Sequence, residues 1–270
     1  MERFSLLVYL ATLSLFLPCI HAVPQVPCYF IFGDSLSDDG NNNGLPTLAK
    51  VNYPPYGVDY QQGPTGRFSN GKNIQDVIAE KLGFSSPIPP FASACGNILN
   101  GVNYASGAAG ILPESGGVAR IQTLYNDGAR KFALFAIGRI GCTPYAVAVF
   151  GTKGSPCVDT QNQAVRLFNE ALLSLVKELN AKMPDAKFTY INPYRFSSTG
   201  FVTNASCCKL DKGGQLCLPN SVPCSNRSKY VYWDGVHPTE AINILAGTVA
   251  YKAKSTSNAY PFNLQSLALK

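Results

Sequence analysis

Strand-like and helix-like segments alternate along this chain, and that alternation limits the folds open to it. Lys131 to Ile137 is a short, mostly apolar run closed by Gly138 and Gly141. Gln163 to Met183 then places Phe168, Leu172, Leu175, Val176 and Leu179 at helical spacing and stops at Pro184. Phe188 to Ile191 is a second apolar run. A strand, a long amphipathic helix and another strand can share a sheet only if the strands run parallel and helices cover the faces. The same pattern brackets this core. Cys28 to Phe32 reads as a strand ended by Gly33, and Val102 to Ala105 as another, followed by the small-residue turn Ser106 to Gly110. Asn73 is placed to cap a helix carrying Ile74, Val77, Ile78 and Leu82 on one face, with Gly83 to end it. Thr239 to Ala253 predicts a last helix, with Pro238 at or near its first turn. Residues 38–44 and 52–69, rich in Gly, Asn, Pro and Tyr, read as loops. There are no internal repeats. The expectation is one α/β domain over residues 23–270 built on a parallel sheet.

Residues 1–22 are excluded from that domain. Arg3, an apolar stretch from Ser5 to Ile20 and a small residue at Ala22 form a secretory signal peptide, too short and too interrupted for a bilayer span. Removing it leaves eight of the nine cysteines: Cys28, Cys95, Cys142, Cys157, Cys207, Cys208, Cys217 and Cys224. An even number in an oxidising compartment points to disulfides of unreadable connectivity, and the 207–224 cluster reads as a stapled loop rather than a zinc site. Asn204 and Asn226 each begin an N-glycosylation sequon in the same stretch, which places it at the surface. A composition of 46% hydrophobic and 14% charged residues excludes a disordered chain. The +6 net charge is scattered singly, which argues against a nucleic-acid face.

Loss of the leader removes His21 and leaves His237 as the sole imidazole, so multi-histidine metal catalysis is not expected and no metal or cofactor is called for. Asp234 stands three residues before His237, within reach of the ring on a turn. A helix beginning at Pro238 would favour the neutral, base-competent imidazole. From this segment alone, a catalytic base and a surface histidine before a helix are about equally good readings. Ser35, in Gly33-Asp34-Ser35-Leu36, follows directly on a strand, where a sharp turn can expose its hydroxyl and aim its own N–H at a developing oxyanion. Gly66 to Lys72 has the spacing of a phosphate-binding loop but carries Asn73 where a Ser or Thr would hold Mg²⁺, and reads as loop and helix start.

Five segments occur in one order: Phe32-Gly-Asp-Ser-Leu-Ser-Asp-Asp-Gly-Asn-Asn-Asn43, Gly101-Val-Asn-Tyr-Ala-Ser-Gly-Ala-Ala-Gly110, Gly128-Ala-Arg-Lys-Phe132, Ile140-Gly-Cys-Thr-Pro144 and Trp233-Asp-Gly-Val-His-Pro238. In this the chain closely resembles the plant-type GDSL esterases/lipases, a branch of the SGNH hydrolases, from about Val26 to the last helix. The resemblance implies a flavodoxin-like three-layer α/β/α fold and secreted hydrolysis of acyl or lipid esters, without cofactor, nucleic acid or stable membrane anchor. It implies Ser35 as nucleophile, Asp234 and His237 as acid and base, and the N–H groups of Ser35 and Gly107 as oxyanion donors. The family's third donor, an Asn in a Gly-x-Asn-Asp block, has no counterpart here, and Asn126-Asp127 does not fit that motif. The domain is therefore expected to be shortened near residues 111–123, where the family has a central strand, and near 195–200. The flanking strands would then have to pair directly in a smaller sheet. Two functions follow: a serine esterase, or a catalytically impaired relative that binds acyl esters.

Overall fold

A computed structural model describes residues 23–95, 98–110, 121–152 and 154–270. The leader and most of the expected 111–123 excision lie outside them. Helix α1 spans Ile74–Leu82, α2 Ile121–Asn126, α3 Pro144–Phe150, α4 Asp159–Lys182, α5 Glu240–Lys252 and α6 Leu264–Ala268. Strand β1 spans Lys131–Phe135, β2 Lys187–Ile191, β3 Val202–Ser206, β4 Tyr230–Tyr232 and β5 Ala259–Tyr260. The strand–helix–strand unit read from the sequence is present as β1–α4–β2, with β1 and β2 parallel from Lys131 opposite Lys187 to Phe135 opposite Ile191. A short antiparallel β5 extends this sheet, so it is mixed rather than wholly parallel. Separately, β3 pairs in parallel with β4.

Alternate residues of β2 address opposite faces. Phe188 and Tyr190 join Phe132 and Val176 in one apolar cluster beneath α2 and α4. Ile191 joins Ile78, Leu82, Ala250, Tyr251, Leu264 and Leu267 in another, beneath α1, α5 and α6. Helices thus cover both faces, giving the three-layer α/β/α arrangement. Helix α1 begins and ends where its sequence dictates. The Asn73 side chain accepts from the N–H groups of Gln75 and Asp76, and Asp76 accepts in return from the Asn73 N–H. Gly83 closes the helix at φ 92°, a left-handed conformation suited to glycine. Pro238 precedes rather than joins α5, whose cap is Thr239.

The first part of the sheet departs from expectation. Tyr29, Ile31 and Gly33 run parallel to residues 100–106 through Tyr29 N–H to Asn100 (3.0 Å), Ile31 N–H to Val102 (3.1 Å), Tyr104 N–H to Ile31 (2.8 Å) and Ser106 N–H to Gly33 (3.1 Å). This pair shares no backbone hydrogen bond with β1 among the described residues. The direct pairing of flanking strands does not occur among the described residues. Phe30 and Phe32, each 44% exposed, point their peptide groups away from residues 100–106 and find no backbone partner there. Each piece is held by its own packing, Ile31 against Ala79 and Ile88, Ile191 against Ala250 and Leu264. Pairing the two pieces directly would have to disturb both sets of contacts.

Candidate active site

Gly33 ends the first strand, and the next five residues form a tight turn that carries Ser35. The Asp34 carboxylate accepts from the Leu36 N–H (2.9 Å), and the Asp34 carbonyl accepts from the N–H groups of Ser37 and Asp38 (3.1 and 3.0 Å). The Ser35 N–H has no partner among the described residues, and the side chain is partly exposed. The turn is anchored from below: Ser37 carbonyl accepts from the Asn103 amide (2.7 Å) and the Asn73 amide (3.3 Å).

Some two hundred residues later, β4 leads into a second tight loop. Trp233 N–H bonds the His237 carbonyl (2.8 Å), and Asp234 Oδ1 accepts from the N–H groups of Val236 (2.8 Å) and His237 (2.7 Å). This self-bonded loop fixes the i, i+3 relation that the sequence suggested. His237 Nδ1 lies 2.8 Å from Asp234 Oδ2 and 3.0 Å from Oδ1, and its Nε2 lies 2.8 Å from Ser35 Oγ. Asp234 is wholly buried and His237 is 5% exposed, its ring against Phe68 at 4.8 Å. With Nδ1–H donating to the carboxylate, Nε2 is the lone-pair nitrogen facing the hydroxyl. The structure therefore brings Ser35, His237 and Asp234, the three residues singled out in the sequence, into one hydrogen-bonded line.

Gly107 stands differently from the sequence expectation. Its N–H donates to Asp38 Oδ2 at 2.7 Å, so the hydrogen that should face a substrate oxygen is already engaged. Asp38 Oδ1 accepts from Gly40 and Asn41 (both 2.8 Å), and the carboxylate ties the Ser35 turn to the Ser106–Gly110 turn. Burial raises the Asp38 pKa, opposed by these N–H donors and by Arg67. The neighbouring Ala108, at φ 65°, leaves its N–H without a partner among the described residues. Asn126 is exposed on α2 and accepts from Gln122 (3.0 Å), away from any such role.

Two groups beside the site were not legible in the sequence. The Tyr56 hydroxyl donates to Asp234 Oδ2 at 2.6 Å, a contact across 178 positions. Beneath the turn, Arg67 grips Asp76 with two hydrogen bonds (2.7 and 2.8 Å) and sits 3.6 Å from Asp39. Segment 52–69, read as loop without a role, thus supplies Tyr56, Arg67 and Phe68. No local spacing marks such partners; only the fold joins them.

Six of the eight cysteines among the described residues pair, as Cys142–Cys157, Cys207–Cys224 and Cys208–Cys217, the last two forming the expected stapled loop. Cys28 and Cys95 are free thiols, so the even count does not translate into a fully paired set. Asn204, on β3, and Asn226 are both exposed. No helix among the described residues is long and apolar enough to cross a membrane.

A sequence model of GDSL-like Lipase/Acylhydrolase matches residues 29–128 and 115–248. The chain is 40% identical to GDSL esterase/lipase At4g18970 of Arabidopsis thaliana, over 91% of this chain and 93% of that protein. It is 39% identical to GDSL esterase/lipase At5g45670 over 99% of both chains, and 41% identical to GDSL esterase/lipase At1g29670 over 92% and 93%, both from the same plant. The alignment with At5g45670 runs over 360 positions, more than the 270 residues of this chain, so the relative carries sequence that this chain lacks.

Proposed function

The chain belongs to the GDSL-like lipase/acylhydrolase family and is a carboxylic ester hydrolase, and from that premise we propose that it is a secreted serine esterase using Ser35, His237 and Asp234. The unbroken contact from Ser35 Oγ through His237 to Asp234, with distances of 2.8 Å at both joints, carries the proposal. Ser35 Oγ attacks the acyl carbonyl while His237 Nε2 takes its proton. Buried Asp234 keeps Nδ1 protonated and stabilises the imidazolium as it forms. The tetrahedral oxyanion collects the free N–H of Ser35. His237 then returns its proton to the leaving alcohol, and an acyl-Ser35 remains. Water, deprotonated by His237, attacks that ester and releases the carboxylic acid. The apolar leader, three disulfides and two exposed sequons support secretion and glycosylation at Asn204 and Asn226. The alignment with a longer relative supports an internally shortened domain, which we place near 111–123 and 195–200.

A second reading has its own observation. Gly107 N–H is held by Asp38, and no Asn stands in for the family's third donor, so the oxyanion meets fewer donors than the chemistry uses. Each lost donor costs roughly 10²–10³ in kcat. This reading makes the chain a slow or silent relative that binds acyl esters.

Hydrolysis of p-nitrophenyl butyrate by monodisperse protein, beside Ser35→Ala, separates the two. The esterase reading expects turnover that Ser35→Ala abolishes, together with labelling of Ser35 by a fluorophosphonate. Turnover that survives Ser35→Ala refutes the nucleophile assignment. A cooperatively folded protein with neither turnover nor labelling establishes the second reading.

A further inference from the structure

Asp234 is held by more than its own loop. Its Oδ2 accepts from the Tyr56 hydroxyl at 2.6 Å, and that same hydroxyl oxygen accepts from the Cys217 N–H at 3.0 Å. Cys217 is bonded through sulfur to Cys208, and the Cys208 N–H bonds the Trp233 carbonyl at 2.9 Å. Trp233 is the residue before Asp234. The path therefore closes on itself: carboxylate, Tyr56, Cys217, disulfide, Cys208, Trp233 and back to the carboxylate. Tyr53 donates to the Cys217 carbonyl at 3.2 Å and packs edge-on against Tyr56, so the Cys217 peptide is gripped at both ends. Trp233, Tyr56 and Cys217 are all buried in this cluster.

We propose that Tyr56 is a positioning residue for Asp234, and that the Cys208–Cys217 disulfide is the anchor that lets it act. The inference rests on the triad proposed above. Among side chains of the described residues, only Tyr56 and His237 donate to Asp234. Burial, together with the Asp234 charge, pushes the Tyr56 pKa far above the ordinary tyrosine value, so the hydroxyl keeps its proton and remains a donor throughout the working pH range. The titratable groups facing this pair are His237 on the catalytic loop and Tyr53 beside the ring, with Asp211 of the disulfide hairpin acting on Tyr53. A donor on Oδ2 shares the carboxylate charge that would otherwise act on the imidazolium alone, and it fixes the plane in which Oδ2 meets Nδ1. Cutting the disulfide frees the Cys217 peptide and loosens the same hydroxyl.

The test compares the full-length protein with Tyr56→Phe, with Cys208→Ser/Cys217→Ser, and with the triple variant. Readouts are kcat, KM, the pH profile of kcat/KM, and the downfield Nδ1–H resonance of His237 assigned through His237→Asn. Tyr56→Phe is expected to lower kcat about tenfold with KM within twofold, to move the acid limb of the profile to higher pH, and to shift the His237 resonance. The disulfide variant should lower kcat in the same way in the native background, and lower it no further once Tyr56 is Phe. A Tyr56→Phe profile and resonance that match the native protein overturn the positioning role. Independent, multiplying losses overturn the link to the disulfide. Repeating the resonance measurement in Ser35→Ala separates this inference from the triad: the resonance must respond to Tyr56→Phe whether or not the protein turns over ester.

Discussion

The buried acidic group under the Ser35 turn ties stability to pH in a direction opposite to most carboxylates. Arg67 is committed to Asp76 by its two short hydrogen bonds, which leaves Asp39 with only a 3.6 Å approach to the guanidinium. Asp39 is 3% exposed, and its Oδ1 has no hydrogen-bond partner among the described residues. Burial pushes its pKa up to about 7, opposed by Arg67 and by a hydrogen bond from Asn103 and reinforced by Asp76 and Asp38. In an unfolded chain the same carboxyl titrates near ~3.9. Between those values the native state holds a proton that the unfolded state has released, so this group's contribution is greatest at low pH and is lost as pH rises toward 7. Integrated from pH 5 to pH 7, the loss is about 2 kcal/mol. Asp39→Asn keeps the shape and cannot titrate. Thermal melts of native protein and Asp39→Asn at pH 5, 6 and 7 should show the variant's Tm gaining on the native protein by roughly 4–8 °C across the series. A gap between the two proteins that stays constant from pH 5 to pH 7 would refute the assignment of a buried, proton-holding Asp39.

Two further changes test the packing that carries the site. Asn73→Ala removes both capping acceptor bonds and the amide that supports Ser37, and should cost about 1–2 kcal/mol by urea titration, with an unchanged slope against denaturant. Gly247→Ala would place a Cβ 2.7 Å from Val77 Cγ1 and 2.9 Å from its Cβ, where α5 crosses α1, and should destabilise by about 1–3 kcal/mol; a gain in Tm, as expected for Gly→Ala on an open helix face, would contradict the close crossing.

Local chemistry was readable, and remote chemistry was not. Asn73 and Gly83 bound α1 because caps are decided within three or four residues. The Asp234–His237 contact was suggested for the same reason, three residues being one turn of loop. Ser35 meets His237 across 202 positions, a contact that the order of the motif segments implied and no single segment could. Tyr56 carried no mark, since its partners are Asp234 and the Cys217 peptide. The engagement of the Gly107 N–H was not legible for a related reason. The direction of a backbone N–H depends on dihedral angles and on an acceptor 69 residues away, and Asp38 claims it. The broken sheet was misjudged because strand pairing was weighed without the helices that pin each piece.

That broken sheet raises a structural question: why the Ser35–His237 contact survives it. In a continuous sheet, two loops at the ends of different strands are held in register by the strands between them. Here the register comes instead from the segment that opens α1. Asn73 reaches Ser37 below the Ser35 turn, and Gln75 donates to the Ser37 hydroxyl at 3.0 Å. The same segment meets the start of α5: the Glu240 N–H bonds Asn70 Oδ1 (2.8 Å), Glu240 Oε1 accepts from the Lys72 N–H (3.0 Å), and Asn243 bonds the Lys72 carbonyl (2.9 Å). Helix α5 begins three residues after His237, so residues 70–75 fasten both loops to one rigid point. Gly71 allows the approach, since a Cβ there would fall 2.5 Å from the Glu240 carboxyl carbon. Ser35, His237 and Asp234 therefore stay in contact without a continuous sheet between their loops among the described residues.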